Sequence, residues 1–290
     1  MDSKNTYIEL EGITIMYMKL KDGKSKVLTL SYDDGVVQDI RLIEILNKYG
    51  IKATFNINTG KYLPEESTRE KFDGRMKLSE AKRLYIKSGH EVAVHGLTHP
   101  FLEKLKTAEI LTEIIDDRRN IEQQYGTLAR GMAYPFGTYN NEVINIAGKC
   151  GICYSRTTQT TEGFELPENW LMLHPTCHHN NPKLMELSKK FIEEKSLYDS
   201  DNWLFYIWGH SYEFDRDDNW EVIENFAEYI GGRKDVWYAT NIEIYDYVKA
   251  YERLETGIDR HIIHNPSSID VWFCEQDKTY CVKGGQTLYI

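Results

Sequence analysis

The sequence has few cysteines and prolines, and it has no long hydrophobic run. Its 5 cysteines are an odd number spread along 290 residues, which does not indicate a disulfide framework. No apolar stretch is long enough to span a bilayer, and the opening residues, MDSKNTYIEL, lack the basic and apolar regions of a signal peptide. These absences predict a cytoplasmic protein with reduced thiols and no membrane partner.

Positive charge is also scarce. The chain has 35 Lys and Arg against 45 Asp and Glu, for a formal net charge of -10, and it contains no long basic run. A nucleic-acid partner is therefore not expected. Hydrophobic residues make up 41% of the chain, which is enough to build a folded core and argues against wholesale disorder.

Short apolar or alternating runs recur along the chain and predict seven strands. They lie at residues 27–32, 52–57, 91–94, 131–134, 151–155, 203–208 and 236–239. Helical patterns lie between or after these runs, and one of them opens with Thr240 and Glu243 in capping-box spacing. Strands that alternate with helices imply a parallel sheet, and seven such units indicate a closed or nearly closed barrel, with an open sheet as the alternative.

The two ends of the chain depart from this alternation. Near the start, Asp22-Gly23 lies between two strand-like stretches, which predicts a hairpin. The last residues are strand-like and carry a turn signal at Gly284-Gly285. The sequence therefore predicts an α/β fold in three parts: a β extension over 1–26, a barrel over 27–254 and a small β appendage over 255–290.

Chemically useful residues follow the predicted strands at their carboxyl ends, where the catalytic residues of such barrels lie. They are Asp33 and Asp34 after the first strand, His95 and His99 after the third, Tyr134, Pro135 and Phe136 after the fourth, Arg156 after the fifth, and His210 after the sixth. Two adjacent aspartates are ordinarily explained by a helix cap or a polar turn. Their coincidence with the other residues on one rim favours a functional site instead.

His95 and His99 are four residues apart, which places both imidazoles on one face of a helical turn. Together with one aspartate from another strand end, they form a set of two histidines and one carboxylate. Such a set leaves coordination positions open for water and substrate, as in catalytic zinc sites. The second aspartate is then free to accept a proton, and the dication would lower the repulsion between the two carboxylates.

Three stretches resemble the motifs of the polysaccharide deacetylases, the NodB homology domain of carbohydrate esterase family 4. They are SYDDG at residues 31–35, HGLTH at 95–99 and WLFYIWGH at 203–210, and they occur in the order expected for that family. The first two motifs together are specific, and the third is weaker alone. The resemblance covers roughly residues 27–250 and implies a distorted (β/α)7 barrel.

The resemblance also implies a role for each residue of the site. Asp33 would be the general base and His210 the general acid. Asp34, His95 and His99 would hold a divalent metal, with zinc expected and cobalt, nickel or manganese as alternatives. The Tyr134, Pro135 and Phe136 stretch would serve the oxyanion and the substrate, through the backbone N–H of Phe136. The implied reaction is hydrolysis of N-acetyl groups on an acetylated mono-, oligo- or polysaccharide.

The sequence departs from the family pattern in two places. Ala133 stands where the family has an arginine that steers the base. Arg156, on the same rim, is a candidate replacement, and an exposed arginine without a role is an equal alternative. The family also pairs its acid histidine with an aspartate, but the matching stretch 168–180 contains none. The partner of His210 and the oligomeric state are left open.

Other functions share parts of this signature. The same site would suit hydrolysis of O-acetyl esters. Two histidines and one carboxylate also describe an Fe(II) facial triad of oxygenases, but that triad usually lies on a β jelly roll, without helices after the strands. A glycosidase that uses Asp33 and Asp34 would need carboxylates about 5 to 9.5 Å apart across the sugar, which adjacent residues rarely provide. A non-catalytic sugar-binding barrel is disfavoured because base, ligands and acid are all present.

Overall fold

The computed structural model describes residues 16–67, 74–196, 198 and 200–290. The predicted N-terminal extension before residue 16 therefore lies outside the described residues. The strands are β1 (Tyr17–Lys19), β2 (Lys26–Asp33), β3 (Ala53–Ile57), β4 (Glu91–Val94), β5 (Gly131–Ala133), β6 (Tyr154–Arg156), β7 (Cys177–His178), β8 (Trp203–Gly209), β9 (Val236–Tyr238), β10 (Glu255–Thr256), β11 (Ile262–His264), β12 (Val271–Glu275), β13 (Lys278–Val282) and β14 (Thr287–Tyr289).

Eight α-helices occur in the described part of the chain. They are α1 (Asp39–Lys48), α2 (Leu78–Ser88), α3 (Thr107–Tyr125), α4 (Asn141–Lys149), α5 (Leu184–Glu193), α6 (Tyr212–Arg216), α7 (Glu221–Ile230) and α8 (Asn241–Glu252). The capping box predicted at Thr240 and Glu243 is present at the start of α8. Within the described ranges, no helix has both the length and the apolar character needed to cross a membrane.

The main sheet is parallel and follows the order β6-β5-β4-β3-β2-β8-β7, with β9 also paired to β2. The strand β8 pairs with almost the whole length of β2. The strand β9 pairs with the first half of β2, and β3 pairs with its second half. Beyond β6, Leu173 forms a bridge to Arg156 and leads to β7, so this segment joins the two edges of the curled sheet. The predicted distorted (β/α)7 barrel is confirmed. Only the two-residue strand β7 was not expected, because it is too short to give a periodic signal.

Residues of β2 alternate between the two faces of the sheet, as the period of a strand requires. Leu28, Leu30 and Tyr32 pack in the large hydrophobic cluster outside the sheet, which the helices cover. The intervening Thr29 and Ser31 lie on the lumen side and make hydrogen bonds to polar side chains there, as does Asp33 at the end of the strand. The same alternation therefore supplies the outer core and places Asp33 at the top of the lumen.

The ends of the chain form two small antiparallel sheets, β1-β12-β13 and β10-β11-β14. The turn predicted at Asp22-Gly23 is present, with φ of 62° and 74° at the two residues. One antiparallel bridge, between Leu20 and Lys24, closes this turn, but β1 pairs with β12 of the C-terminal segment and not with β2. The boundaries after residues 26 and 254 stay predictions.

Candidate active site

Asp33 and Asp34 lie where β2 ends, and the backbone turns sharply between them. Adjacent residues of a strand point to opposite faces, but Asp34 has a φ of 82°, in the left-handed region that non-glycine residues rarely adopt. This conformation breaks the alternation. As a result, Asp33 Oδ2 lies 3.8 Å from His95 Nε2 and Asp34 Oδ1 lies 3.9 Å from His99 Nε2.

The two histidines lie in a loop after β4 and not on a helical turn as the spacing suggested. Gly96 has a φ of 75° and His99 a φ of 63°, so the chain coils back and brings the rings together with centroids 4.7 Å apart. The expectation that the two imidazoles are neighbours holds, but the helical explanation for it is wrong. One ligand atom from each of Asp34, His95 and His99 lies within 4.8 Å of the others.

The hydrogen bonds of His95 leave one ring nitrogen available to a metal. Its Nδ1 lies 2.8 Å from the carbonyl oxygen of Ala133, so Nδ1 carries the proton and donates it. The buried Nε2 then holds a lone pair and has no hydrogen-bond partner among the residues that the structure describes. Metal-ligating histidines typically donate their other N–H in this way. The donor set therefore fits a divalent metal.

Helix α3 holds the histidine loop through two acidic side chains that sequence reasoning missed. Glu113 accepts hydrogen bonds from the backbone N–H and the hydroxyl of Thr98, and Asp117 accepts one from the backbone N–H of His95. Burial raises the pKa of Asp117 to about 7, which three hydrogen bonds only partly offset. A signal was present, because Asp117 lies on the otherwise apolar stripe of α3 that contains Ile114 and Ile121.

Arg156 is buried and not exposed, with only 1% of its surface accessible. Its guanidinium group contacts Asp33 Oδ2 and stacks 4.5 Å from the ring centre of Trp208. The other carboxylate oxygen of Asp33 accepts a hydrogen bond of 2.8 Å from Asn56. The proposed replacement for the family arginine therefore lies against the predicted base, and the alternative of an exposed arginine does not apply.

Both carboxylates stay ionised despite their burial. Burial alone would raise the pKa of Asp33, but the positive charge of Arg156 and the nearby imidazoles of His95 and His210 outweigh burial and lower that pKa. For Asp34, burial is likewise outweighed by His95 and by Arg75, whose guanidinium lies 2.9 Å from its carboxylate. The repulsion between the two aspartates is thus offset by two arginines of the chain itself.

His210 lies between the predicted base and a carboxylate that the sequence analysis did not identify. Its Nε2 is 3.9 Å from Asp33 Oδ2, and its Nδ1 is 3.6 Å from Glu213 Oε2, an ion-pair distance. Burial lowers the pKa of His210, but contact with Glu213 and the charge of Asp33 outweigh it, so the pKa is raised. Glu213 was missed because the partner was sought before His210 in the sequence, whereas it follows three residues later on α6.

Glu213 is also the centre of a second cluster that resembles a metal site. One ligand atom from each of His178, His210 and Glu213 lies within 4.8 Å of the others. However, His178 Nδ1 accepts a hydrogen bond from the backbone N–H of Asn180, so the neutral ring carries its proton on Nε2, 3.0 Å from Glu213. A protonated nitrogen cannot ligate a metal. This cluster is therefore a carboxylate held by imidazole donors.

Comparison with known proteins shows which family this chain resembles. Residues 20–155 match the family model described as polysaccharide deacetylase. The match covers a little less than half of the chain and extends from before β2 into β6, so this part is similar to the polysaccharide deacetylase family. A chitooligosaccharide deacetylase from Bradyrhizobium sp. (strain ANU 289) is 25% identical over 150 residues, which cover 51% of this chain and 58% of that protein. A peptidoglycan-N-acetylmuramic acid deacetylase from Bacillus subtilis (strain 168) is 28% identical over 137 residues, which cover 46% of this chain and 26% of that protein.

Solved structures share the barrel. The Xyl-CE4 domain of a multidomain xylanase from the hindgut metagenome of Trinervitermes trinervoides superposes with a TM-score of 0.53 at 16% identity, covering 78% of this chain and 92% of that one. A Mycobacterium smegmatis protein gives a TM-score of 0.56 at 15% identity, covering 83% and 96%. At these identities the likeness concerns the fold alone.

Within this fold, only one of the three residues predicted for the oxyanion and the substrate exposes its side chain at the site. Phe136 has a φ of 59° and is 49% exposed, and its ring lies 4.4 Å from that of His99. Tyr134 is buried and donates its hydroxyl to the carbonyl of Leu171. Pro135 is buried as well. Tyr134 and Pro135 therefore build the wall that carries Phe136.

Proposed function

We propose that this protein is a metal-dependent hydrolase that removes N-acetyl groups from a saccharide. One observation carries the proposal: an ionised carboxylate and a protonatable imidazole, Asp33 Oδ2 and His210 Nε2, lie 3.9 Å apart beside a set of two histidines and one aspartate. A base and an acid at this separation can act on the two sides of one scissile bond. Two relatives are named as deacetylases of chitooligosaccharide and of peptidoglycan N-acetylmuramic acid. These names support an N-acetylated saccharide as substrate.

Asp33 is suited to take a proton from the attacking water. Its carboxylate is held at one oxygen by Asn56 and at the other by Arg156, so it cannot rotate away. The contact with Arg156 keeps it ionised and therefore able to accept a proton. A divalent metal on Asp34, His95 and His99, with zinc expected, would supply Lewis-acid polarisation of the acetyl carbonyl.

His210 is suited to give a proton to the leaving amine. With Nδ1 directed at Glu213, its Nε2 is the nitrogen that faces Asp33 and the substrate side. An amine is a poor leaving group unless it is protonated, so a protonated His210 would be needed when the C–N bond breaks. The same site would also hydrolyse an O-acetyl ester, for which protonation matters less. The cytoplasmic location expected from the sequence stays a prediction.

We expect His99→Ala to lose the divalent metal and most of the deacetylase activity while the fold is kept. The imidazole is one of three proposed ligands, and two ligands alone hold a metal poorly. Metal content after gel filtration and acetate release from N-acetylated and O-acetylated oligosaccharides measure both effects. His261→Ala, an exposed histidine of the appendage, is the control and should match wild type. Equal metal content in His99→Ala and His261→Ala would contradict the metal assignment. If the wild-type protein releases no acetate from any of these substrates, the proposed activity is wrong.

We expect Glu213→Gln to shift the alkaline limb of kcat/KM to lower pH. Glu213 helps to raise the pKa of His210. A general acid must be protonated, so activity falls as the pH rises through that pKa, and a lower pKa moves the fall to lower pH. The measurement is kcat/KM against pH, with Glu224→Gln on the surface of α7 as the control. An alkaline limb that stays in place would mean that Glu213 does not act through His210.

A further inference from the structure

Each of the two adjacent aspartates has an arginine of its own, and the arginine of Asp34 was not expected. Arg75 lies shortly before α2 and belongs to none of the motifs in the sequence. Its side chain is 18% exposed, and the Asp34 side chain is 12% exposed. An ion pair with so little access to solvent is screened only weakly by water and salt.

Several contacts fix the guanidinium of Arg75 in place. Its Nη2 lies 2.9 Å from Asp34 Oδ1, and its Nη1 donates both to the backbone carbonyl of Asp34 and to Asn58 Oδ1, the latter at 3.0 Å. The backbone of Arg75 forms an antiparallel bridge with Val36, two residues after Asp34. Arg75 is therefore anchored near Asp34 through its main chain, and its guanidinium contacts both the backbone carbonyl and the carboxylate of Asp34.

The oxygen that Arg75 holds is the same one that lies nearest to the proposed metal ligands. Asp34 Oδ1 is 3.9 Å from His99 Nε2, and Arg75 Nη2 is 2.9 Å from the same atom. A divalent cation bound to Asp34 and His99 would thus share the Asp34 carboxylate with the fixed guanidinium of Arg75. Two positive groups at one carboxylate repel each other and compete for its charge.

The two aspartates and two of the arginines at the site carry opposite charges. Asp33 and Asp34 contribute two negative charges, and Arg156 and Arg75 contribute two positive ones. Counted over these four side chains the charge is zero, so a metal would meet two carboxylates that each already face a guanidinium.

We propose that Arg75 is a tethered counter-cation, which neutralises Asp34 in the metal-free protein and lowers the affinity of the site for a divalent metal. This inference rests on the proposed function, because it assumes that Asp34, His95 and His99 bind the metal. The opposite role is that of an orienting residue. Hydrogen bonds that orient a metal ligand usually raise affinity, and their loss costs about 10–100-fold. The two roles therefore predict changes of opposite sign when the charge is removed.

Two variants separate charge from hydrogen bonding. Arg75→Gln keeps an N–H donor but removes the charge, whereas Arg75→Lys keeps the charge but loses the planar fork. The metal dissociation constant is measured for Zn²⁺ and for Co²⁺ by competition with a chelator, and the melting temperature is measured in EDTA. We expect Arg75→Gln to bind metal about tenfold more tightly than wild type, because the competing charge at short range is gone. Without metal it should melt earlier than wild type, and saturating metal should remove the difference.

Arg41→Gln is the matched control, because Arg41 pairs with Glu224 on the surface and should change neither measurement. Arg75→Lys should bind metal within about threefold of wild type, and it replaces the glutamine variant if that one does not fold. Unchanged or weaker metal binding in Arg75→Gln, or a loss of tenfold or more in Arg75→Lys, would overturn the proposal in favour of orientation. If wild type and His99→Ala bind metal equally, the metal site itself fails, and the inference fails with it.

Discussion

Asp33→Asn is expected to lower kcat/KM for deacetylation by about 10²–10⁴-fold while the metal stays bound, because only the proton acceptor is removed. The amide has nearly the shape of the carboxylate, and its oxygen can still accept the hydrogen bond from Asn56 while its NH2 group faces Arg156. Arg156 is buried against this carboxylate and would lose its counter-ion, so we also expect a lower melting temperature. Activity is therefore compared well below the unfolding transition, with metal content measured on the same samples.

Asp34→Asn provides the contrast for this prediction. Since Asp34 is the proposed carboxylate ligand, its substitution should weaken metal binding itself, and added metal should restore part of the activity. Added metal should restore none of the activity of Asp33→Asn. Metal loss in Asp33→Asn together with full metal content in Asp34→Asn would show that the two roles are reversed.

His210→Ala is expected to impair amide hydrolysis far more than ester hydrolysis. An amine leaves only once it is protonated, whereas a sugar alkoxide is a better leaving group and can take a proton from water. Loss of a general acid typically costs about 10²–10⁴ in rate, so the loss on an N-acetyl substrate should lie near the top of that range. The loss on an O-acetyl substrate should lie near or below its lower end.

The comparison uses kcat/KM of the variant and of wild type on one N-acetyl and one O-acetyl derivative of the same sugar. His174→Ala is a suitable control, because this histidine bonds to Thr157 and belongs to none of the proposed catalytic groups. Equal losses on both substrates would assign His210 to the binding of substrate or metal, and its role as an acid would be abandoned.

The sequence alone determined the barrel and the rim on which the site lies, because both depend on local patterns. Strand and helix periods are read within ten or twenty residues, and parallel strands align their carboxyl ends at one rim. That is sufficient to bring Asp33, Asp34, His95 and His210 together without any knowledge of packing. The structure gathers these residues as expected.

Only the tertiary structure decided which side chains support these residues. Arg75 reaches Asp34 across 41 positions of sequence and Arg156 reaches Asp33 across 123, and no periodic pattern links residues so far apart. The left-handed conformation of Asp34 likewise could not be predicted from the sequence, because an aspartate does not indicate a positive φ as a glycine does. The sequence specifies the groups that can react. Their charges, partners and orientation come from contacts between distant segments, which form only when the barrel closes.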